Sequence, residues 1–295
     1  MRWRTIVVTG IAKLDYKMDY LVVRKQNGMQ RVHLSEIGML IIESTSVSLT
    51  TTLLCELVKH KTKVIFCDEK HNPQSALHPF YGSHDTSAKI RAQVAWPSSI
   101  KESVWTEIVT LKIKHQHFVL IRRKQTEAAA LLSEYLKEIT FDDETNREGH
   151  AAKVYFNALF GKDFTRTSQN AININAALNY GYGILLSFFT REIVSMGYIT
   201  QLGLFHDNMY NPFNLASDLM EPFRPLVDER VIDMEPDRFE HDEKMLMLDL
   251  FNSEVMIDRK QHYISNAVKI YCKSVFDALN DGDVSEILDY SYYEL

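Results

Sequence analysis

Only three cysteines, Cys55, Cys67 and Cys272, occur in 295 residues, and they are too scattered to form a paired zinc or redox motif. Zinc ribbons and disulfide frameworks are thereby disfavoured. Long apolar runs are also missing. The opening "MRWRTIVVTG" has a positive start but only a short apolar stretch, too brief for the core of a signal peptide or a membrane span. A cytoplasmic protein is the resulting expectation. Nucleotide-binding glycine loops, serine nucleophile elbows and internal repeats are absent as well, which removes most of the familiar enzyme classes.

What is present is a globular composition, with 45% apolar and 24% charged residues. The net charge of -6 hides an uneven distribution. Residues 1–125 hold 19 Lys/Arg against 10 Asp/Glu, whereas residues 126–295 hold 14 against 29. Such asymmetry points to a polyanion-facing region followed by an acidic remainder.

The pattern predicts a multi-domain α+β protein: a small β-rich domain with one helix over residues 1–86, then a larger all-helical domain over 87–295. "DYLVVRKQNGMQRVHL" sets two strand-like runs around Asn27-Gly28, the signature of a type I′ hairpin. "GMLIIEST" and "KVIFCD" read as strands, and Leu53, Leu54, Leu57 and Val58 follow helical spacing. From about residue 87 the texture is helical, interrupted at Trp96-Pro97 and restarting at Ser98 or Ser99, with further segments near 127–139, 146–160, 172–196, 214–231 and 262–280. The acidic stretch 228–243 reads as a surface loop and 281–295 as a mobile tail.

Four side chains form the candidate site. In "TNREGHAAKVYF", Thr145 and Glu148 fit a capping box, the commoner reading of that pattern; His150, two positions on, points elsewhere and reads as solvated. Asp218 and Glu221 lie three apart on one helical face, where like charges repel. Arg224, one turn beyond, could pair with Glu221, yet Leu215, Leu219, Met220 and Phe223 make the segment too apolar for a fully solvated face. His206 precedes a loop rich in Asn and Pro, where a structural role is the default. Taken together, Glu148, His206 and Glu221, with Asp218 beside them, form an oxygen and imidazole set suited to Mg²⁺ or Mn²⁺. The basic run Lys112, Lys114, Arg122, Arg123 and Lys124 reads either as a solvated helix face or as a clamp for a nucleic-acid backbone. "NYGYGILLSFF" reads as close helix packing around Tyr180 and Tyr182 rather than base stacking.

"NREGHAAKVYF", "NYGYGILLS" and "DLMEPFRPLVD", in this order and with a histidine between the last two, closely resemble the CRISPR-associated adaptation integrase. "VIFCD", "PFYG" and "NREGHAA" are similar to its type II form. The resemblance implies a β-rich dimerisation domain, a helical catalytic domain, and metal ligation by Glu148, His206 and Glu221, with Asp218 a weaker assignment. Many relatives carry aspartate where this chain has Glu221. The implied reaction joins the 3′-hydroxyl ends of a short DNA duplex, the prespacer, into a CRISPR repeat. The implied partners are double-stranded DNA and a small ferredoxin-like adaptation subunit bridging two dimers, together with an RNA-guided effector nuclease and a ring-forming accessory protein. A nuclease using water and a non-catalytic DNA-binding assembly subunit are the alternatives.

Overall fold

In the computed structural model, residues 4–79, 83–162, 164–167 and 172–292 are described. The chain runs through β1 (Arg4–Val8), β2 (Ala12–Lys17), β3 (Tyr20–Lys25), β4 (Gly28–His33), β5 (Ile37–Ile42), β6 (Val47–Leu49), α1 (Thr51–Lys59), β7 (Lys63–Cys67) and β8 (Pro73–Ala76). Two four-stranded sheets result, in the orders β4-β3-β2-β6 and β1-β5-β7-β8. Their facing sides bury Leu14, Leu21, Val23, Leu40, Ile42 and Val64 together with Leu53 and Leu57 of α1. Successive strand residues point to opposite faces, so Met39, Ile41, Ile65 and Cys67 of the second sheet enter the core of the helical part instead. One sheet therefore contributes to both cores.

The hairpin turns differ from the expectation. Lys25 pairs with Gly28, which makes Gln26 and Asn27 the central residues, and of this turn only Gly28 takes a positive φ, 144°. The turn with two positive φ values lies one hairpin earlier, at Met18 (47°) and Asp19 (63°) between Lys17 and Tyr20. Asp19 is held there because its carboxylate accepts from Tyr16 Oη at 2.9 Å and its carbonyl from Leu34 N at 2.8 Å.

The remainder comprises α2 (Thr86–Ala95), α3 (Ser98–Arg122), α4 (Thr126–Glu138), α5 (Arg147–Phe160), α6 (Ile172–Ser195), α7 (Asn214–Leu219), α8 (Arg224–Met234), α9 (His241–Asp249), β9 (Glu254–Ile257), β10 (Lys260–Tyr263), α10 (Ile264–Asp281) and β11 (Tyr290–Tyr292). Trp96-Pro97 separates α2 from α3, as a residue preceding proline leaves the α region. The 25-residue α3 is packed against α4, α5, α8 and α10. A Cβ on Gly181 would collide with Val227, so "NYGYG" is a close-packing element, with Tyr180 3% exposed. No helix among the described residues is long and apolar enough to cross a membrane.

Three expectations are corrected here. The second part is helical but not all-helical, since β10-β9-β11 form an antiparallel sheet. The 281–295 tail supplies β11, and Tyr290 is buried with its hydroxyl donating to the Pro222 carbonyl at 3.1 Å. The acidic 228–243 stretch is mostly helix: α8 runs to Met234 and α9 starts at His241. Asp228 is 1% exposed and accepts from the Tyr182 hydroxyl, and burial pushes its carboxyl up to about 6. Counting charges along the chain missed that Asp228 and Glu229 face inward, while Asp233, Glu235, Asp237, Glu240 and Asp242 stay exposed. Residues 80–82 of "PFYG" lie outside the described residues.

Where the second sheet meets α6, the buried Lys63 ammonium lies 3.5 Å from Glu192. Burial pushes it down to about 8. Between pH 8 and its ordinary value near 10.4, the native form has released a proton that the unfolded chain retains, so stability rises with pH by about 1 kcal/mol per unit. Urea unfolding from pH 8 to 10 should show this rise in the parent protein and a flatter profile in Lys63→Met.

Candidate functional site

The start of α5 decides what Glu148 is free to do. Asp143 accepts from the backbone N–H of Arg147 at 2.7 Å and of Glu148 at 2.9 Å, and Asn146, the N-cap residue, accepts from Gly149 N at 3.3 Å. The capping-box reading of Thr145 and Glu148 is therefore overturned: the orphan amides are satisfied by Asp143 and Asn146. Glu148 turns away from its own helix and accepts from Lys112 Nζ.

Lys112 lies between Leu111 and Ile113 on α3, and all three are buried. Its ammonium also lies 2.5 Å from Glu221 Oε2, whose other oxygen pairs with Arg224 Nη2 at 2.9 Å. Glu221 opens the short 3₁₀ turn Glu221–Phe223 and its side chain is 5% exposed. Burial pushes its carboxyl up, but Arg224 and Lys112 more than offset this and hold it below the usual range. The Lys112 ammonium is pushed down by burial and raised more strongly by Glu221 and Glu148, so it stays charged. Although close to Lys112, Glu221 Oε2 makes no directed hydrogen bond among the described residues. Two carboxylates from distant elements thus converge on one cation.

His206 is fixed separately. Asp218 is fully buried and accepts from the amides of Leu204 (2.6 Å), Phe205 (3.2 Å) and His206 (3.2 Å), and from His206 Nδ1 (2.5 Å). A carboxylate only accepts, so Nδ1 carries the proton and Nε2 of the neutral ring keeps its lone pair. The Asp218 bond is the main cause that raises the imidazole pKa, and Glu221 adds to it through space. Trp105 of α3 stacks on Phe205 at 4.5 Å and meets His206 edge-on at 6.0 Å. The loop can wrap Asp218 this tightly because residue 203 is glycine: a Cβ there would lie 2.7 Å from Asp218 Oδ2 and would collide with the His206 carbonyl.

The fold therefore brings Glu148 and Glu221 together and sets His206 within electrostatic reach of Glu221. Asp218 has a different part. Its four acceptor positions are taken by four donors, so it positions His206 and is poorly placed to ligate a metal itself. The basic run is also redistributed, because residues on one helix point around its whole circumference. Lys112 is interior and cannot serve as a backbone clamp. Lys114 pairs with Asp289 at 2.6 Å, Arg122 with Glu229 at 3.2 Å, and Arg123 with Glu229 at 3.4 Å and Asp233 at 2.5 Å; Lys124 is exposed. His150 is exposed, as expected. Sequence reasoning missed Lys112 as the counterion and also Asp143, Trp105 and Gly203. A lysine between two apolar residues in "TLKIK" is the one local signal that could have marked the first.

Among the described residues, no three His, Cys, Asp or Glu side chains meet at the spacing of a metal cluster. Lys112 holds the point where the two glutamates converge. The donor set nevertheless fits a hard divalent ion: two carboxylates already gathered by a cation, one with an oxygen lacking a directed bond, and an imidazole anchored through its other nitrogen.

Residues 6–252 match the family model described as CRISPR associated protein Cas1. The chain is 36% identical over 232 residues to the CRISPR-associated endonuclease Cas1 of Neisseria meningitidis serogroup C, covering 79% of this chain and 76% of that relative. Identity to a Cas1 endonuclease of Pyrobaculum aerophilum is 30% over 239 residues, covering 76% and 79%. The fold superposes on a casposase bound to integration product with a TM-score of 0.77 at 20% identity, covering 100% of this chain and 95% of that one. For a Cas1 protein from Thermotoga maritima the TM-score is 0.71 at 15% identity, covering 99% and 100%. With a family model spanning most of its length and a relative at 36% identity, the chain belongs to the Cas1 family of CRISPR-associated proteins.

Proposed function

We propose that this chain is a divalent-metal-dependent DNA integrase of CRISPR adaptation, acting in the cytoplasm. The observation that carries the reading is the convergence of Glu148 and Glu221 on one cationic point, with His206 anchored alongside by Asp218. Glu148, Glu221 and Nε2 of His206 would hold Mg²⁺ or Mn²⁺. Such an ion polarises a phosphodiester and stabilises the charge that develops during in-line displacement. Arg224 holds the Glu221 carboxylate in place, Asp218 keeps the His206 ring in one tautomer, and Trp105 backs the loop that carries both aromatic side chains.

In the reaction, the 3′-oxygen of the incoming duplex forms a bond to phosphorus as the repeat strand's own 3′-oxygen leaves. The attacking hydroxyl loses its proton and the leaving oxygen gains one, so the number of phosphodiesters is conserved. The partners proposed are prespacer and repeat DNA, a second copy of this chain, and a small subunit bridging two dimers; a chain of a Cas6-RT-Cas1–Cas2 complex shares the fold (TM-score 0.72, covering 97% of this chain and 36% of that one), which supports a Cas2 partner. An RNA-guided effector nuclease and a ring-forming accessory protein complete the proposed set.

The relatives are named endonucleases, which supports a second reading in which water is the nucleophile. A labelled 3′-hydroxyl duplex, incubated with a supercoiled repeat plasmid, the small subunit and Mn²⁺, separates the two. Label joined to the plasmid is the expected product; nicking without joining would favour hydrolysis. Excess chelator should remove either activity, and joining that survives it would rule out the metal mechanism.

A further inference from the structure

A second charged site lies where the sheet, α6 and α10 meet, and none of its residues belongs to the acidic centre. A cavity of about 190 Å³ is lined by Lys61, Lys63, Arg191 and Lys269, by Ser265 and Asn266 in the first turn of α10, and by Glu192, the one acid among its lining residues. Two features leave it short of negative charge. Lys63 is 9% exposed, and its Nζ makes no hydrogen bond among the described residues; it lies 3.5 Å from Glu192 and 3.7 Å from the centre of the Phe188 ring. The 18-residue α10 begins with no side-chain cap and no acidic residue in its first turn. Ile264 N is bonded to the Ser253 carbonyl, and Ser265 and Asn266, the next two residues of α10, line the cavity. A helix start of this kind carries about half a positive charge, and its free N–H groups suit an anion.

We propose that this cavity is a binding site for a single phosphate group. The volume is below the roughly 300–1,000 Å³ of pockets that enclose whole small molecules, so a phosphoryl group fits where a nucleoside does not. Lys63 supplies the buried charge, Lys61 and Lys269 reach in from the exposed rim, and the α10 amides orient the oxygens. Placing an anion beside Lys63 also offsets the burial that depresses its pKa. The phosphate comes either from solution or from a nucleic-acid strand crossing this face.

Calorimetric titration of inorganic phosphate into the full chain, free of divalent metal and with chloride balancing ionic strength, tests the site. The expected result is saturable binding of one phosphate per chain, weakened at least about tenfold in Lys63→Met, the equivalent of losing one charge-assisted hydrogen bond. Lys269→Gln, an exposed change that spares the fold, should weaken binding as well. Absence of saturation in the parent protein, or unchanged affinity in both variants, overturns the proposal. Competition between phosphate and a labelled DNA duplex assigns the site to strand phosphate; undisturbed duplex binding assigns it to the free ion. Neither outcome depends on the strand-joining reading, whose failure would leave phosphate affinity unchanged.

Discussion

Glu148→Gln should reduce strand joining on the order of 10³-fold while shifting the melting temperature by less than about 5 °C. The two effects separate because α5 does not depend on this carboxylate. Asp143 and Asn146 satisfy the amides at the helix start, and glutamine preserves the volume of the side chain. It also accepts a hydrogen bond from Lys112, which keeps Glu221 as its counterion. What disappears is one of the two charges gathered at the proposed metal position. Mn²⁺ affinity, measured calorimetrically without DNA, should fall in parallel. A variant that joins at the parental rate would remove Glu148 from the chemistry. One that unfolds would show that its pairing with Lys112 is structural.

Asp218→Ala should produce the largest loss of stability of any single change at the site, on the order of 3–6 kcal/mol, because several buried donors lose their acceptor at about 1–3 kcal/mol each. Asparagine is no full substitute, since its amide nitrogen faces N–H groups where the second carboxylate oxygen accepted them. The pH dependence follows from His206. Its pKa is raised in the folded chain, chiefly by the Asp218 bond. The stabilisation from the charged imidazole is thus present below its ordinary value near 6.5 and is lost as pH rises through the raised value. The stability gap between the parent protein and Asp218→Ala should accordingly be wider at pH 6 than at pH 9 in denaturant unfolding. Equal stability of the two proteins at both pH values would mean that Asp218 does not organise the loop.

Much of the fold was legible because it rests on local periodicity. The spacing of Leu53 and Leu57, the break at Trp96-Pro97 and the small residues of "NYGYG" each define an apolar face or an interruption, and the folded chain uses them in that sense. The Asn27-Gly28 dipeptide marks the hairpin turn, but its register follows the strand pairing, which places Gln26 and Asn27 at the centre. Charge was legible only as a sum along the chain. Asp228, Glu229 and the basic run read as surface charges in the chain, whereas Asp228 is held by Tyr182, Glu229 by Arg122 and Arg123, Lys114 by Asp289, and Lys112 lies in the interior.

The sequence by itself determined which residue types stand at helix starts, turns and core faces, and it carried the motifs by which the family is recognised. Whether Glu148 caps its helix or faces Lys112, whether Asp218 is a ligand or a support for His206, and where the basic run points were decided only by tertiary structure. The same side chain at the same local position serves either purpose. The choice is made by the nearest unsatisfied donor in space, and elements far apart in the chain bring that donor there.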